Sequence, residues 1–207
     1  MNQQFIKNLK TRLTHPLPGK KAQSIMMVKS KLPLQDNNDL KNSKHSAVLI
    51  LLFYKNNTWN FYLTKRTQYV NYHKGQISLP GGVLEGNELL KETALRETEE
   101  EIGVKSKDIN LIGELTPLYI PVSNFKIFPF IGWLKNKPKI KIQNKEVERI
   151  FSISIDEFIL DSTQKYKNDI LRGNKVEIPY FDINNEIVWG ATSVILSEFK
   201  KLILDIK

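Results

Sequence analysis

The sequence predicts an α/β fold, and three stretches of the chain support that prediction. Residues 47–53 form an uncharged apolar run, too short to cross a membrane and typical of a central buried strand. Residues 88–102 have helical periodicity and are followed by Gly103, a residue that commonly ends helices. Residues 194–206 carry an apolar stripe along a second helix. Because such segments alternate along the chain, we expect helices packed on a sheet.

Length and composition favour one globular domain. The 207 residues suffice for a sizeable core, and 41% hydrophobic and 26% charged residues are ordinary globular values. We expect a single domain over residues 1–207, in which residues 1–46 form an N-terminal cap and loop and residues 47–207 form the core. The sequence permits a homodimer and does not fix the oligomeric state.

The residue types present exclude several classes of site. The chain has no cysteine, which excludes disulfides, thiolate nucleophiles and cysteine-based zinc sites and suits a reducing cytoplasm.

The N-terminus lacks the apolar segment of a signal peptide, and no stretch has the roughly 20 apolar residues of a membrane span, so we expect a cytoplasmic protein without a membrane partner. The formal charge of +9 suits anionic ligands such as nucleotides, but the lysines are dispersed, so we expect no nucleic-acid partner.

The patterns before the acidic helix alternate between apolar and polar segments. In order, they predict a helix at 4–12, a polar loop at 32–46, strands at 47–53 and 59–66, a polar connection at 67–74 and a short strand from Gly75 stopped by Pro80. Gly81 and Gly82 then allow a tight turn. Asn87 is expected to cap the acidic helix, with Glu88 in its first turn.

The patterns after the acidic helix predict a second group of strands. They indicate strands at 110–115 and 125–134, a proline-shaped loop at 116–124, a half-exposed strand at 139–142, a helix at 155–160, a polar loop at 161–174 and a strand at 175–181. Asn124 can adopt a left-handed conformation in its loop. Pro179 would confine its strand to a sheet edge.

The acidic helix places three carboxylates on one face. Glu97, Glu100 and Glu101 share that face, and like charges at these spacings oppose helix formation by about 0.2–0.5 kcal/mol per pair. A hard divalent cation such as Mg²⁺ or Mn²⁺ would supply the missing counter-charge. A solvated acidic face is the alternative for the helix alone. The glycines that precede it favour the metal site, because they would let backbone groups approach a phosphate.

A longer pattern with fixed spacing includes this helix. It reads Gly82, five residues, Glu88, seven residues, Arg96-Glu97-Thr98-x-Glu100-Glu101-x-Gly103-Val104. The pattern resembles the Nudix box of diphosphate hydrolases, in which an aliphatic residue usually stands at the position of Thr98. The resemblance implies that the three glutamates bind Mg²⁺ or Mn²⁺ or activate the attacking water, and that Glu88 and Arg96 brace the loop against the helix. It also implies an α/β/α sandwich with a mixed, curved sheet, the box helix on one face and the C-terminal helix on the other.

A second motif lies upstream of the box. Leu63-Thr64-Lys65-Arg66, Gly75 and Leu79-Pro80-Gly81-Gly82 resemble the extra motif of coenzyme A diphosphatases in the same superfamily. Asn71 stands where that motif has arginine, which removes a cation that could hold a phosphate. The resemblance implies a nucleotide substrate contacted by Arg66, Gly75, Gly81 and Gly82, and His73, in the loop beside Gly75, is a further candidate for substrate binding.

Three side chains are candidates for the site because of their own chemistry or position. The planar guanidinium of Arg66 suits bidentate phosphate contact, whereas the alternative is an arginine at a strand end that reaches water. His73 could contact a phosphate or act as an acid, and the alternative is a histidine with neither role. Glu146 lies where the resemblance has an acid, and an acid facing the metal could serve as general base.

Together these motifs predict metal-dependent hydrolysis of a diphosphate joined to a nucleoside. The resemblance favours coenzyme A, with 3′,5′-ADP and 4′-phosphopantetheine as products. Hydrolysis of ADP-ribose, a nucleotide sugar or a dinucleoside polyphosphate is the alternative. A non-catalytic nucleotide-binding module would be marked by loss of box carboxylates, and none is lost here.

Overall fold

A computed structural model describes residues 3–28, 42–68, 75–142, 146–171 and 173–207. The helices in these ranges are α1 (Gln3–Leu13), α2 (Gly19–Gln23), α3 (Leu90–Ile102), α4 (Ile155–Phe158) and α5 (Ala191–Ile206). The strands are β1 (Lys44–Lys55), β2 (Thr58–Arg66), β3 (Ile77–Ser78), β4 (Gly81–Val83), β5 (Ile109–Glu114), β6 (Leu118–Ile120), β7 (Phe125–Leu134), β8 (Val147–Ser154), β9 (Gln164–Leu171), β10 (Asn174–Ile183) and β11 (Glu186–Val188). None of the helices in these ranges is long and apolar enough to cross a membrane.

Eight strands form a mixed sheet around β1. The main order is β3-β2-β1-β7-β5, with β4 paired to β1, β6 to β7 and β8 to β2. β1 runs parallel to β7 and antiparallel to β2 and β4. In this register Ala47 lies between Phe128 of β7 and Gly82 of β4. The apolar run predicted to be the central strand therefore occupies that place.

Alternate residues of β1 face two separate cores. Leu49 and Leu51 pack with Ile102 of α3 on one side of the sheet, and Ile50 and Leu52 pack on the other side with the buried stripe of α5 and with α1. A strand that is apolar on both faces is expected where both faces are covered. The predicted α/β/α sandwich, with the acidic helix on one face and the C-terminal helix on the other, is confirmed.

A smaller sheet has the order β11-β10-β9, and it corrects two predictions. Strand β9 occupies most of the stretch predicted to be a polar loop, because a polar segment can pair along the edge of β10. Pro179 lies in the middle strand rather than at an edge, opposite Tyr166 of β9. It is tolerated there because β11 pairs only with Phe181–Ile183 of β10, which leaves Pro179 with one strand neighbour.

Other local predictions were wrong where tertiary pairing decides the conformation. Gly81 and Gly82 do not form a turn but extend as β4 against β1. The loop predicted at 116–124 contains β6, whereas residues 139–142 form no strand and β8 was not predicted. Asn124 has a φ of 52°, which confirms the predicted left-handed conformation. Residues 29–41 and 69–74, which include His73, lie outside the described residues.

Candidate active site

The acidic helix α3 has defined ends and a buried face. It begins after Leu89, whose backbone N–H donates to Glu92 Oε2 at 2.8 Å, so Glu88 precedes the helix and Asn87 does not cap it. It ends at Gly103, whose φ of 72° is the left-handed conformation that glycine adopts without strain. The buried Thr98 hydroxyl donates to Ala94 O at 2.7 Å, which satisfies its polar group within the helix.

The two glycines of β4 let α3 approach the sheet closely. A Cβ added to Gly82 would lie 2.3 Å from the carboxylate of Glu97, and one added to Gly81 would lie 2.3 Å from the carbonyl oxygen of Ala47. Any other residue would therefore displace either the acid or strand β1. The glycines are required for close contact on both sides of β4, not for a turn.

Glu101 is the most deeply buried acid of the helix, with only 3% of its surface exposed. Its Oε2 accepts a hydrogen bond from Gly81 N at 3.3 Å, and its Oε1 lies 3.6 Å from Arg66 Nη1. Burial raises the pKa of Glu101 to about 8, although Arg66 and the Gly81 N–H oppose that rise. Arg66 Nε is buried and has no hydrogen-bond partner in the described part of the chain.

Glu97 and Glu100 meet on the guanidinium of Arg96. Arg96 Nη1 donates to Glu97 Oε1 at 2.9 Å and to Glu100 Oε2 at 3.2 Å. Glu97 is 13% exposed and Glu100 is 58% exposed, so the shared helix face runs from the interior to solvent. Burial raises the pKa of Glu97, Arg96 lowers it, and the charges of Glu100 and Glu146 raise it further.

Arg96 also holds the loop that precedes the helix. Its Nε and Nη2 donate to the two carboxylate oxygens of Glu88 at 3.1 and 2.8 Å, and Nη2 donates to Val83 O at 3.2 Å. Glu88 Oε1 accepts from Glu85 N at 2.9 Å and from Thr93 Oγ1 at 3.0 Å. The Arg96 hydrogen bonds lower the pKa of Glu88 to about 2. The predicted bracing contact between Glu88 and Arg96 is present, while Val83 and Thr93 were not predicted.

The other predicted residues lie around the end of β2. Glu146 is exposed in the turn before β8, and its carbonyl oxygen accepts from Thr67 N at 2.9 Å. Its charge raises the pKa of both Glu97 and Glu101, after burial and the charge of a neighbouring helix glutamate. Gly75 has a φ of 65° and lies against the side chain of Gln68, so an added Cβ there would collide with that amide.

The donor chemistry of this cluster suits a hard divalent cation. Glu97 is half-buried and Glu101 is buried, their charges repel each other, and loss of solvation is the largest cause of the raised pKa of each acid. In the side-chain arrangement seen here, Arg96 takes one oxygen each from Glu97 and Glu100. Within the described ranges, no three His, Cys, Asp or Glu side chains are grouped so that they could hold a metal ion.

Comparisons with known proteins bear on this arrangement. Residues 43–172 match the family described as NUDIX domain. The chain is 33% identical over 188 residues to Nudix hydrolase 15, mitochondrial, of Arabidopsis thaliana, and the match covers 86% of this chain and 65% of that protein. It is 31% identical over 159 residues to the uncharacterized Nudix hydrolase NudL of Yersinia enterocolitica, covering 75% of this chain and 79% of that relative.

A solved structure shares the fold. The crystal structure of a MutT/nudix family protein from Enterococcus faecalis superposes with a TM-score of 0.54 at 16% identity, covering 99% of this chain and 75% of that chain. The family match extends over more than half of the sequence and includes β1, β4 and the acidic helix α3. On this evidence, the chain belongs to the Nudix hydrolase family.

Proposed function

We propose that the protein hydrolyses the diphosphate linkage of a nucleoside diphosphate derivative with the help of a divalent metal ion. The observation that carries the proposal is that the half-buried Glu97 and the buried Glu101 both lie against the glycines of β4. Two acids held this way are under-compensated, because desolvation and mutual repulsion both disfavour their ionised forms. Perturbed acids in such a position are typical of a functional site rather than of a solvated helix face.

Glu97, Glu100 and Glu101 would hold Mg²⁺ or Mn²⁺, which Nudix hydrolases generally use. When bound, the ion would offset the negative charge of the diphosphate and promote attack by water. Arg96 would keep Glu97 and Glu100 in place while it anchors the loop through Glu88. Glu146 is the proposed general base, since it is exposed to water, precedes the residue that pairs with Arg66, and its charge acts on both Glu97 and Glu101.

We propose coenzyme A as the substrate, with 3′,5′-ADP and 4′-phosphopantetheine as products. The support for this finer assignment is the segment from Leu63 to Gly82, which resembles the upstream motif of coenzyme A diphosphatases. Arg66 belongs to that segment, and its side chain reaches Glu101 at the buried end of the acidic cluster. A phosphate held by Arg66 would therefore lie beside the proposed metal ligands.

A hydrolysis panel tests both levels of the proposal. Purified protein is incubated with Mg²⁺ or Mn²⁺ and coenzyme A, ADP-ribose, a nucleotide sugar or a dinucleoside polyphosphate, and the products are identified by mass. We expect cleavage between the two phosphates, with coenzyme A turned over fastest. Faster turnover of ADP-ribose would remove the coenzyme A assignment alone. No cleavage of any diphosphate with either metal would remove the proposed reaction.

The chain offers a matched control for the acidic cluster. Glu99 lies on the same helix but points away from the cluster, where its Oε2 accepts hydrogen bonds from Ser106 N at 2.8 Å and Ser106 Oγ at 2.7 Å. Glu99→Gln removes the same charge at nearly the same sequence position as Glu100→Gln. We expect Glu100→Gln to weaken activation by metal and Glu99→Gln to retain it. Equal metal dependence in the two variants would contradict the assignment of Glu100.

A further inference from the structure

A cluster of basic and aromatic side chains lies at the start of β1 and β7. The imidazole of His45 packs edge-on against the ring of Phe128, with ring centres 5.3 Å apart. The ammonium of Lys126 lies 5.2 Å from the centre of the same ring. All three side chains are partly exposed. We refer to His45, Lys126 and Phe128 as the basic platform.

The strand register places the basic platform beside the acidic cluster. His45 pairs with Lys126 across the parallel strands, and Ala47, two residues further along β1, lies between Phe128 and Gly82. Residues two apart in a strand share a face, so His45 lies on the same face as Ala47, which packs in the core beneath α3. Neighbouring strands are about 4.8 Å apart, so Phe128 lies roughly 10 Å across the sheet from Gly82.

The basic platform has donors that are not used by the other residues in the described part of the chain. Arg66 lies against Glu101, where the scissile diphosphate is proposed to bind, and Arg96 is shared among the acids of the loop and helix. By contrast, neither Lys126 nor His45 forms an ion pair or a side-chain hydrogen bond with any residue in the described ranges. A lysine ammonium and an imidazole N–H are strong donors to phosphate oxygens. The partly exposed ring of Phe128 offers an apolar surface next to those donors.

We propose that the basic platform binds the nucleoside end of the substrate and recognises a phosphomonoester carried by its ribose. The scissile diphosphate would lie over β4 and the acidic cluster, and the base and the extra phosphate would lie two strands away. This inference deepens the proposed function, on which the identity of the ligand as substrate rests. It gives the protein a way to distinguish a 3′-phosphorylated nucleoside from one with a free hydroxyl.

Equilibrium binding tests the proposal without any turnover. The probes are adenosine 3′,5′-bisphosphate and adenosine 5′-monophosphate, titrated calorimetrically into the full chain. We expect the wild-type protein to bind the bisphosphate about tenfold more tightly, as one charge-assisted contact allows. Lys126→Gln and His45→Gln should each reduce that preference, and added salt should weaken it. Phe128→Leu should weaken binding of both nucleotides.

Lys44→Gln is the matched control. This substitution removes one positive charge, as Lys126→Gln does, from the same end of the sheet. Lys44 lies next to His45 in β1, so its side chain is on the opposite face. Circular dichroism and thermal melting of each variant establish that it is folded. Equal affinity of the wild-type protein for the two nucleotides would overturn the proposal, as would a loss of preference in Lys44→Gln equal to that in Lys126→Gln.

Kinetics with a matched substrate pair separate this inference from the proposed function. Dephospho-coenzyme A differs from coenzyme A only by the 3′-phosphate. We expect Lys126→Gln to lower the ratio of kcat/KM for coenzyme A to that for dephospho-coenzyme A by about tenfold, through KM. Hydrolysis without any discrimination between the two would refute the basic platform alone. Preferential binding of the bisphosphate without hydrolysis of any diphosphate would refute the proposed reaction alone.

Discussion

Two buried glutamates, Glu198 in α5 and Glu101 in α3, differ in how many hydrogen-bond donors surround the carboxylate. Glu198 has no exposed surface, and its oxygens accept hydrogen bonds from Gly19 N at 3.0 Å, Gln23 Nε2 at 2.9 Å, Thr116 Oγ1 at 2.7 Å and Thr116 N at 3.4 Å. These donors come from α2 and from the segment after β5. Glu198 therefore ties three parts of the chain together on the α5 face.

Glu101 is almost as deeply buried, but its environment does much less to stabilise a charge. Its contacts are one backbone N–H at 3.3 Å and the Arg66 guanidinium at 3.6 Å, and the charges of Glu97 and Glu146 act against it. Its pKa is accordingly raised to about 8 by burial. A buried acid is costly unless donors or cations compensate it.

The difference in donors gives Glu198 a structural role and supports the proposal that Glu101 is a metal ligand. The fold supplies the carboxylate oxygens of Glu198 with four hydrogen-bond donors, so its polar atoms are satisfied within the protein. For Glu101 the fold leaves the compensation incomplete, and a divalent cation would complete it. The incomplete compensation of Glu101 lowers the stability of the fold, as expected for a site that is stabilised when its ligand binds.

The largest expected effect comes from neutralising the under-compensated acid. Glu101→Gln should lower kcat/KM by about 10³-fold, as expected for the loss of a group that stabilises the transition state directly. The variant should keep the far-ultraviolet circular dichroism of the wild type, because glutamine fills the same volume. Initial rates with saturating Mg²⁺ or Mn²⁺ measure the loss. Activity within a factor of two of wild type would show that Glu101 is not a ligand.

The same substitution at Glu198 should lower the stability of the protein and leave its turnover unchanged. Glu198→Gln places an amide N–H₂ among four donors, so we expect the free energy of unfolding to fall by about 3 kcal/mol. Urea denaturation followed by fluorescence measures this loss. The activity per folded molecule should stay at the wild-type level. A variant that loses turnover without losing stability would contradict the division of roles between the two acids.

The long apolar and helical patterns of the sequence predicted the framework well. Four elements form where the sequence predicts them: β1, β2, α3 and α5. Their apolar residues recur with the period of a strand or a helix, so the local sequence is enough to identify them. β9 and β10 show the limit of this reasoning. A polar strand and a strand with an internal proline are defined by the partner beside them, which a single local pattern does not reveal.

The box spacing predicted which residues gather around α3 but not how they differ. Helical geometry gives Glu97, Glu100 and Glu101 one face, and it cannot show that their exposure runs from 58% at Glu100 to 3% at Glu101. The close approach of Glu97 to Gly82 and the pairing of Arg66 with Glu101 both depend on how α3 packs over the sheet. The predicted roles of these residues in catalysis remain predictions for the experiments above.

The poor compensation of Glu101 should also make the stability of the protein depend on pH, with a smaller effect than those above. The pKa of Glu101 is about 8 in the folded chain against an ordinary value of 4.5, so the unfolded chain ionises first as pH rises. The penalty is absent below pH 4.5, grows between pH 4.5 and 8, and is constant above. Without divalent ions, Glu101→Gln should therefore raise the free energy of unfolding at pH 6 by about 2 kcal/mol and leave it unchanged at pH 4. Urea denaturation in the presence of a chelator measures both values. Glu101→Gln less stable than wild type at pH 6 would contradict the inference that this acid is poorly compensated.

Glu88 should show the opposite pH dependence and the smallest effect. Its pKa is lowered to about 2 by the Arg96 hydrogen bonds, so the stability it contributes is complete above its ordinary value of 4.5 and is lost as pH falls towards 2. Glu88→Gln should thus lower the melting temperature at pH 7, and the difference from wild type should shrink below pH 4. Glu85→Gln is the control, because only the backbone N–H of Glu85 contacts Glu88. If the two variants respond alike to acid, the Arg96–Glu88 pair contributes nothing that depends on charge, and Arg96 must be held by its contacts with Val83 and the helix acids instead.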